Sequence, residues 1–331
     1  MDDFRVCCLR QSSWIKVSGI GTAFSHQRKA LEKAGIQCTT SPKDDFDILH
    51  LNFVGPKSYL LAKKFKRKGK KIVMHTHTTA EDAMNSFRMM NLSGSLIRKY
   101  LTGFYSMADL LISPSEHTKN LLEKKYSLSN KILFISNGVD FEKFRSISHL
   151  REEYRKRYGL EGDVVFTVGH VFRRKGLPSM INAAKKMPNS RFAWFGPLYN
   201  PLISGAGKLI QKKPENLVFT GFVEDIRGAY AAGDIFFFPS HAENQGIAIL
   251  EAAASKHPLV VRNLPTYRGW LLHKKNALIG KNSREFCEHI RILQEDHNLR
   301  KKIAGNAFEM AKKHDLKIIG EQLRKAYLSI L

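Results

Sequence analysis

The sequence predicts an α/β protein with two doubly wound parallel sheets, each the core of its own domain. Short apolar runs alternate with amphipathic segments along the chain, as in parallel sheets whose strands are buried on both faces. This alternation occurs twice, on either side of a highly charged helix predicted over 149–158. With 331 residues, 43% of them hydrophobic, the chain is long enough to fill two cores.

The apolar runs and the amphipathic stretches between them place the elements in order. In the first half they predict strands over 6–9, 48–53, 72–74, 110–112 and 132–135. The same half has predicted helices over 21–34, 59–68, 93–107 and 115–125. The second half has predicted strands over 164–168, 191–195, 217–219, 235–238 and 259–261. Ligands of such sheets bind at the carboxyl ends of the strands, so we expect the site in a cleft between the domains.

Two glutamates eight residues apart follow the predicted strand 235–238. Glu243 lies in a polar loop over 240–246, and Glu251 lies in a predicted helix over 247–254 that is otherwise apolar. A buried carboxylate needs hydrogen-bond donors, which ribose hydroxyls would supply to Glu251. The start of this helix can hold a phosphate through backbone N–H groups. The residues that present these groups are Asn244, Gln245, Gly246 and Ile247.

Charge is the second strong feature, because 54 Lys and Arg residues against 30 Asp and Glu give a net charge of +24. Both halves of the chain are basic, which predicts a polyanionic partner. The excess is most concentrated in Lys63, Lys64, Lys66, Arg67, Lys68, Lys70 and Lys71. On a helix over 57–68 these cations flank an apolar stripe of Tyr59, Leu60, Leu61 and Phe65. Such a helix can lie on an anionic bilayer, where each cation contributes on the order of 1 kcal/mol.

Two other interpretations of the basic segment exist. The first is a solvated helix whose lysines serve solubility. The second is nucleic-acid binding, which we do not expect because the sequence has no zinc-finger spacing and no RNP-like aromatic signature.

The cysteines and the hydropathy pattern bear on location. Cys7, Cys8, Cys38 and Cys287 show no paired spacing and predict reduced thiols in a cytoplasmic protein. The sequence does not predict a signal segment, and no apolar stretch approaches the roughly 20 residues that a spanning helix needs. We therefore expect a cytoplasmic protein that binds peripherally to the inner face of the cell membrane.

Several segments resemble motifs of the family-four retaining glycosyltransferases of GT-B fold, and the resemblance extends over nearly all of the chain. The most specific match is Glu243 to Glu251, which resembles the E-x7-E signature of that family. Three further matches are the interdomain turn at 135–140, the base-binding strand and turn at 216–223, and the glycine-rich turn at 18–22. Residues 168–176 resemble the phosphate loop, in which Lys175 matches the family's lysine. His170 stands there in place of the usual arginine, so the missing charge must come from Arg174 or Arg173. We assign Arg174, with Lys175, to the diphosphate.

The resemblance implies a GT-B fold of two Rossmann-like domains facing across a cleft. It implies an acceptor-binding and membrane-binding domain over 1–145, a nucleotide-sugar domain over 146–315, and a final helix over 316–331 that crosses back to the first domain. The catalytic residues that it implies are Glu243, His77, Arg174 and Lys175. The donor-binding residues are Gly19, Gly21, Gly169, Arg174, Lys175, Phe222, Val223, Glu243, Asn244, Gln245, Gly246, Ile247 and Glu251.

The segments 74–82 and 85–88 resemble the version found in glucosyltransferases that act on diacylglycerol lipids. That resemblance implies UDP-glucose, or another nucleotide sugar, as donor and diacylglycerol or monoglucosyl diacylglycerol as acceptor. The acceptor-binding residues are then His75, His77, Glu81 and Asp82. Anionic membrane lipids are the expected partners of the basic segment. A tightly bound cofactor is not expected, nor is a metal, because cationic side chains and helix ends can stabilise the leaving UDP.

Two alternatives stay open from the sequence. One is a glycosyltransferase of the same fold that acts on a soluble or polyprenyl-linked glycan. The other is a basic protein that binds an anionic membrane or nucleic acid without catalysis.

Overall fold

The computed structural model describes residues 4–9, 19–81, 94–198 and 207–331. Asp82 and the segment 85–88, which the sequence analysis places near the acceptor, lie outside these residues. The chain divides into two compact units, Met1–Gly138 with His314–Leu331, and Val139–Lys313.

The first unit is built on a six-stranded parallel sheet in the order β2-β1-β3-β4-β5-β6. Its strands are β1 Arg5–Cys8, β2 Gln37–Thr39, β3 Ile48–Leu51, β4 Lys71–His75, β5 Leu110–Ser113 and β6 Ile132–Phe134. Its helices are α1 Gly19–Lys33, α2 Pro56–Arg67, α3 Gly94–Tyr105, α4 Glu116–Lys125 and the terminal α13 Leu316–Leu328.

The second unit also has a six-stranded parallel sheet, in the order β12-β11-β10-β7-β8-β9. Its strands are β7 Val164–Val168, β8 Arg191–Phe195, β9 Leu217–Gly221, β10 Ile235–Phe238, β11 Leu259–Arg262 and β12 Leu278–Gly280. Its helices are α5 Phe141–Phe144, α6 Arg151–Tyr158, α7 Leu177–Lys186, α8 Gly207–Gln211, α9 Ile226–Ala232, α10 Ile247–Ala254, α11 Ser283–Glu295 and α12 His297–Lys312. The fold class predicted from the sequence is confirmed.

Both sheets are buried on both faces, because alternate strand residues enter different cores. In β3, Leu49 and Leu51 pack into one core of the first unit, whereas Ile48 packs into the other. The second core also holds Leu316, Ile319, Leu323 and Tyr327 of α13. Helix α13 therefore packs on the first unit and covers one face of its sheet.

Residues 139–145, which the sequence analysis assigns to the first domain, cluster with the second unit. The reason is packing, because Val139, Phe141 and Phe144 lie in a core of the second unit with Tyr230 and Phe166. Gly138 is the last residue of this part of the first unit, and its backbone lies close to side chains of α13. A Cβ at Gly138, where φ is +70°, would lie 2.7 Å from Leu316 Cδ2 and 2.9 Å from Ile319 Cγ1.

The prediction that the apolar stripe of α2 lies on a bilayer is wrong. In α2, Phe65 is buried in a core of the first unit, and Tyr59 and Leu61 pack against the same core. This helix must cover the sheet, so most of its apolar face is used inside the unit. Only Leu60 of the stripe is exposed, at 66%. Among the described residues, no helix has both the length and the apolar character required to cross a bilayer.

Candidate active site

The centre of the candidate site is an ion pair between two loops of the second unit. Glu243 follows β10, and Lys175 follows β7 in a 3-10 turn over Arg173–Lys175. Lys175 Nζ lies 2.5 Å from Glu243 Oε1. Because β7 and β10 are neighbours in a parallel sheet, their carboxyl ends bring the two loops together.

The two loops approach closely because Gly176 has no side chain. Its φ is +89°, in the left-handed region that favours glycine. A Cβ at this position would lie 2.4 Å from the carbonyl oxygen of Pro239, which directly follows β10. The glycine therefore sets the distance between the Lys175 turn and the Glu243 loop.

Arg174 and Ser240 connect the same two loops by hydrogen bonds to backbone carbonyl oxygens. Arg174 Nη1 donates to the carbonyl oxygen of Ala242 over 2.6 Å, and the N–H of His241 donates to the carbonyl oxygen of Arg174 over 2.7 Å. Ser240 Oγ donates to the carbonyl oxygens of Arg174 and Ala242 at 3.2 Å and 3.1 Å. Arg174 Nε is buried and has no hydrogen-bond partner among the described residues.

Glu243 is held in its ionised form. Burial raises the pKa of its carboxyl group, but the charges of Lys175 and Arg174 lower it, and the net pKa lies below its usual value. Its side chain is only 8% exposed, so the charge is held in a largely desolvated position. An ionised carboxylate there can accept hydrogen bonds from hydroxyl groups.

Glu251 lies inside α10 and has a different environment. Tyr230 of α9 donates a hydrogen bond to Glu251 Oε2 over 2.6 Å. Burial raises the pKa of Glu251, although the Tyr230 hydroxyl acts in the opposite direction. Tyr230 is a partner that sequence reasoning missed.

A third loop, which follows β11, contacts the backbone of Glu243. Thr266 Oγ1 donates to the carbonyl oxygen of Glu243 over 2.9 Å, and Trp270 Nε1 donates to that of Thr266 over 2.9 Å. The Tyr267 hydroxyl is buried and has no hydrogen-bond partner among the described residues. Burial, and after it the charge of Glu243, raises the pKa of this hydroxyl, so it stays protonated. Arg262 of β11 donates to the carbonyl oxygen of Pro239 over 2.9 Å. Sequence reasoning missed all four of these residues.

Other predicted donor residues lie further along the sheet. Gly169 follows β7 with φ at +138°, and its carbonyl oxygen accepts from Trp194 Nε1 over 2.8 Å. Phe222 and Val223 follow β9, which β7 and β8 separate from β10. The Phe222 ring is exposed, whereas the Val223 side chain is buried in the core. Of the predicted α10 residues, Gly246 has φ at +90° and Gln245 is buried.

In the first unit, three histidines stack at the carboxyl ends of β3 and β4. His50 lies in β3, His75 ends β4, and His77 follows it. The His75 and His77 ring centroids are 4.5 Å apart with the planes 9° from parallel, and His50 stacks on His75 at 5.2 Å. Burial lowers the pKa of His50 to about 3 and of His77 to about 4, and holds that of His75 well below its usual value.

A chain of hydrogen bonds connects these rings. His77 Nε2 lies 3.2 Å from Asn52 Oδ1, and Asn52 Nδ2 donates to Gln27 Oε1 over 2.5 Å. Gln27 Nε2 lies 2.5 Å from His50 Nδ1, and His50 Nε2 lies 3.2 Å from His75 Nδ1. Tyr327 Oη of α13 lies 2.6 Å from His50 Nδ1. We call these six residues the histidine relay.

The sequence identified His75 and His77 but missed the other members of the relay. A signal was present for two of them. His50 and Asn52 are polar residues two positions apart in an apolar run, which places them on one face of the strand. Gln27 and Tyr327 have no comparable signal, because only packing brings α1 and α13 to this face.

The other predicted residues of the first unit have defined surroundings. Glu81 accepts from Tyr126 Oη over 3.1 Å and pairs with Arg98 Nη2 at 3.2 Å. Gly19 and Gly21 lie in the first turn of α1. Within the ranges that the structure describes, no group of three or more His, Cys, Asp or Glu side chains is arranged to hold a metal ion.

Known proteins resemble this chain along its whole length. A family model described as Glycosyltransferase Family 4 matches residues 17–143, and one described as Glycosyl transferases group 1 matches residues 151–310. The processive diacylglycerol alpha-glucosyltransferase of Acholeplasma laidlawii is 36% identical over 328 residues, which are 97% of this chain and 97% of that protein. The chain belongs to the family-four glycosyltransferases. This membership contradicts the alternative of a non-catalytic binding protein.

Further relatives agree with this family. The alpha-galactosylglucosyldiacylglycerol synthase of Streptococcus pneumoniae is 26% identical over 84% of this chain and 77% of its own. Anabaena HepE, solved with UDP and glucose, has a TM-score of 0.78 at 18% identity, covering 98% of this chain and 100% of HepE. WaaG, a glycosyltransferase involved in lipopolysaccharide biosynthesis, has a TM-score of 0.70 at 17% identity, covering 98% of each chain. These two structures show the GT-B fold.

Proposed function

We propose that this glycosyltransferase transfers glucose from UDP-glucose to diacylglycerol or monoglucosyl diacylglycerol at a membrane surface, with retention of the anomeric configuration. The observation that carries the proposal is the 36% identity, over 97% of both chains, to a processive diacylglycerol alpha-glucosyltransferase. The S. pneumoniae relative, which is also named for a glucosyldiacylglycerol product, supports a lipid acceptor.

The second unit supplies the donor chemistry in this proposal. Departure of UDP leaves negative charge on its β-phosphate, and charged donors that are fixed in advance lower the barrier. Lys175 and Arg174 bring positive charge to that position, and Arg174 Nε is a buried donor without a partner among the described residues. Backbone N–H groups at the start of α10 add the helix dipole. This arrangement takes up the developing charge through the chain's own residues.

The glutamates hold the sugar and the ribose. Glu243 is ionised, so we assign it to hydroxyl groups of the glucose as the ring becomes oxocarbenium-like. Glu251 is assigned to the ribose hydroxyls, with Tyr230 holding its other oxygen. Phe222, exposed after β9, is assigned to the base, and Val223 contributes backbone groups because its side chain is buried. Gly19, Gly21 and Gly169 are assigned to close approach of backbone to the diphosphate.

The first unit supplies the acceptor site. His75 and His77 remain neutral at pH 7, so they add no buried charge beside the acceptor. We assign His75 to a hydroxyl group of the acceptor and His77 to one of the transferred sugar. Glu81 has a smaller role in the proposal, because Tyr126 and Arg98 already bind its carboxylate.

We assign the membrane contact, which the proposal places on the inner face of the cell membrane, to the exposed surface of α2 and α3. Leu60, Lys63, Lys64 and Arg67 share one exposed face of α2, at the spacing i, i+3, i+4 and i+7. Leu96, Lys99 and Tyr100 form a similar exposed face of α3, with Leu96 at 70% and Tyr100 at 43% exposure.

The two helices pack on the same core of the first unit, where the ring centroids of Tyr59 and Phe104 are 6.5 Å apart. Together they present apolar side chains among cations, the composition that suits an anionic lipid surface. Two lysines of the predicted basic segment bind other groups of the protein instead. Lys66 Nζ donates to the carbonyl oxygen of Met107 over 2.6 Å, and Lys70 pairs with Asp45 at 3.3 Å.

A comparison of acceptors tests the proposal. Release of UDP from UDP-glucose is followed with mixed micelles of anionic lipid and diacylglycerol, with micelles that contain monoglucosyl diacylglycerol, and with a soluble oligosaccharide. We expect release with one or both lipid acceptors and none above the hydrolysis rate with the oligosaccharide. Release that depends only on the soluble glycan would support the alternative acceptor and refute the lipid assignment.

A further inference from the structure

The histidine relay has a direction, which its two amides set. Asn52 Nδ2 donates to Gln27 Oε1, so the amide nitrogen of Gln27 is the group that faces His50. An amide nitrogen donates and does not accept, so His50 Nδ1 is an acceptor. The Tyr327 hydroxyl lies 2.6 Å from the same nitrogen, so its O–H and the Gln27 N–H share the single lone pair of His50 Nδ1.

Burial keeps the rings of His50 and His75 neutral, and their hydrogen bonds then determine which nitrogen carries the proton. Burial, and after it the neighbouring histidines, hold the pKa values of His50 and His75 far below 7, so both rings are neutral. A neutral imidazole carries one N–H. Since His50 Nδ1 accepts, its proton is on Nε2 and is donated to His75 Nδ1, 3.2 Å away. The proton of His75 must therefore be on Nε2.

His75 Nε2 is the end of this relay. It is buried and has no hydrogen-bond partner among the residues that the structure describes. A buried N–H without a partner is costly, at about 1–3 kcal/mol, and such groups are rare in folded proteins. The rest of the relay is satisfied, so the unpaired donor at its end points to a ligand oxygen.

We propose that Gln27, His50 and Tyr327 are positioning residues that fix His75 as the Nε2–H tautomer, so that it donates a hydrogen bond to a hydroxyl oxygen of the acceptor. The inference rests on the proposed function for the nature of that acceptor. It gives α13 a part in the site, because Tyr327 is separated from His50 by 277 positions in the chain and reaches it only through packing.

The tautomer is tested directly by nitrogen NMR of protein labelled with 15N at its histidine rings, with the His75 signals assigned by their loss in His75→Asn. We expect a protonated Nε2 and an unprotonated Nδ1 for His75. His50→Phe keeps an aromatic ring in the stack but removes the donor, and it should give a mixture of His75 tautomers. Tyr327→Phe should give a smaller change in the same direction. Nδ1 protonation in the unaltered protein would overturn the proposal.

Kinetics separate positioning from a purely structural role. We expect His50→Phe to lower kcat/KM for the lipid acceptor by about 2- to 10-fold, the worth of one hydrogen bond, with KM for UDP-glucose unchanged. Leu323→Val is the matched control, because Leu323 packs α13 in the same core but makes no relay bond. It should lower thermal stability without changing kcat/KM or the tautomer.

The outcomes distinguish the two proposals. If His50→Phe loses activity only in proportion to its unfolded fraction, as Leu323→Val would, then the relay is structural and the inference is wrong. If His75 carries its proton on Nε2 but no lipid is glucosylated, the proposed function fails and the tautomer assignment stands.

Discussion

The ammonium nitrogen of Lys175 lies 2.5 Å from Glu243 Oε1, although 68 positions separate the two residues in the chain. The pair joins the loops that follow β7 and β10, with Lys175 20% and Glu243 8% exposed. A buried ion pair stabilises a fold weakly, but loss of one partner leaves an uncompensated charge. Stability therefore does not explain the pair, and we attribute it to a role of the two charges in the candidate site.

Substitution of one partner should destabilise the second unit more than substitution of both. Lys175→Met leaves the Glu243 carboxylate buried without its first counter-charge, and we expect a loss of about 3 kcal/mol or more in the free energy of unfolding. The double variant with Glu243→Gln should recover most of that loss and still fail to transfer glucose. Urea unfolding and UDP release measure the two effects. If the double variant is as unstable as the sum of the single variants, the two charges are not coupled.

The short distance between Gly176 and the Pro239 carbonyl predicts that a side chain at position 176 is not tolerated. Gly176→Ala combines a positive φ with a clash against the Pro239 carbonyl, so it should reduce both stability and transfer. Gly162→Ala is the matched control, because Gly162 has φ at +62° and open space around its Cβ position. The control should cost about 1–2 kcal/mol from the backbone alone and leave transfer unchanged. Equal losses in the two variants would show that the contact with Pro239 does not matter.

Stability should fall as the solution is acidified below pH 6.5. Burial lowers the pKa of His257 to about 4, and that of His50 and His77 to about 3 and about 4. The unfolded chain binds these protons near pH 6.5, whereas the folded chain does not, so the stabilisation is complete above pH 6.5 and is lost progressively as the pH falls from there to about 3. Glu251, with a raised pKa, has the opposite sign and reduces the slope at the acidic end.

Unfolding in urea at pH 7, 6 and 5 measures this decline. His257→Gln removes one of these titrations and should make the pH dependence shallower. An unchanged dependence in that variant would mean that the pKa of His257 is the same in the folded and the unfolded chain, and would contradict the lowered value.

The hydroxyl of Tyr230 should matter for donor binding. Tyr230→Phe removes the donor to Glu251 and leaves a buried carboxylate whose pKa rises further, at a cost of about 1–3 kcal/mol in stability. If Glu251 holds the ribose, KM for UDP-glucose should rise several-fold with little change in kcat. Tyr158→Phe, a partly buried tyrosine of the same unit, is the control. A fall in kcat alone would place Glu251 away from the donor.

The surface of α2 and α3 should determine vesicle binding. Lys63→Gln with Lys64→Gln should weaken binding to anionic vesicles by roughly 30-fold, at about 1 kcal/mol per charge. Lys301→Gln with Lys302→Gln removes two exposed cations of the second unit and should have little effect. Leu96→Ser should also weaken binding, and Leu272→Ser, which is 43% exposed in the second unit, should not. Equal effects of both lysine pairs would indicate attraction by net charge alone.

Much of the fold could be predicted from the sequence, because buried parallel strands are continuous apolar runs. The bounds of β7, β8 and β10 agree with the predicted ranges to the residue. The edge strands β2 and β12 were missed, because Gln37–Thr39 is not an apolar run and Leu278–Gly280 has only two apolar residues before its glycine. Helix α2 shows the converse error, since its apolar stripe was assigned to a bilayer but covers the sheet.

Less of the candidate site could be predicted. Glu243, Lys175 and Arg174 stand in local motifs that the sequence displays, and the structure brings them together. Tyr230, Tyr267 and Tyr327 could not be found, because a tyrosine in a helix or turn has no pattern that separates a buried hydroxyl in a site from one in the core. Their positions follow from packing between elements that are distant in the chain.

Analysis of the lipid product decides whether this glycosyltransferase glucosylates diacylglycerol. The protein is incubated with UDP-glucose and mixed micelles of anionic lipid and diacylglycerol, and the lipid fraction is examined by mass spectrometry and proton NMR. We expect a hexosylated diacylglycerol with an α-anomeric linkage, which should be absent with Glu243→Gln. A lipid fraction without hexose, while UDP is released as a soluble glycan is extended, would contradict the proposed function.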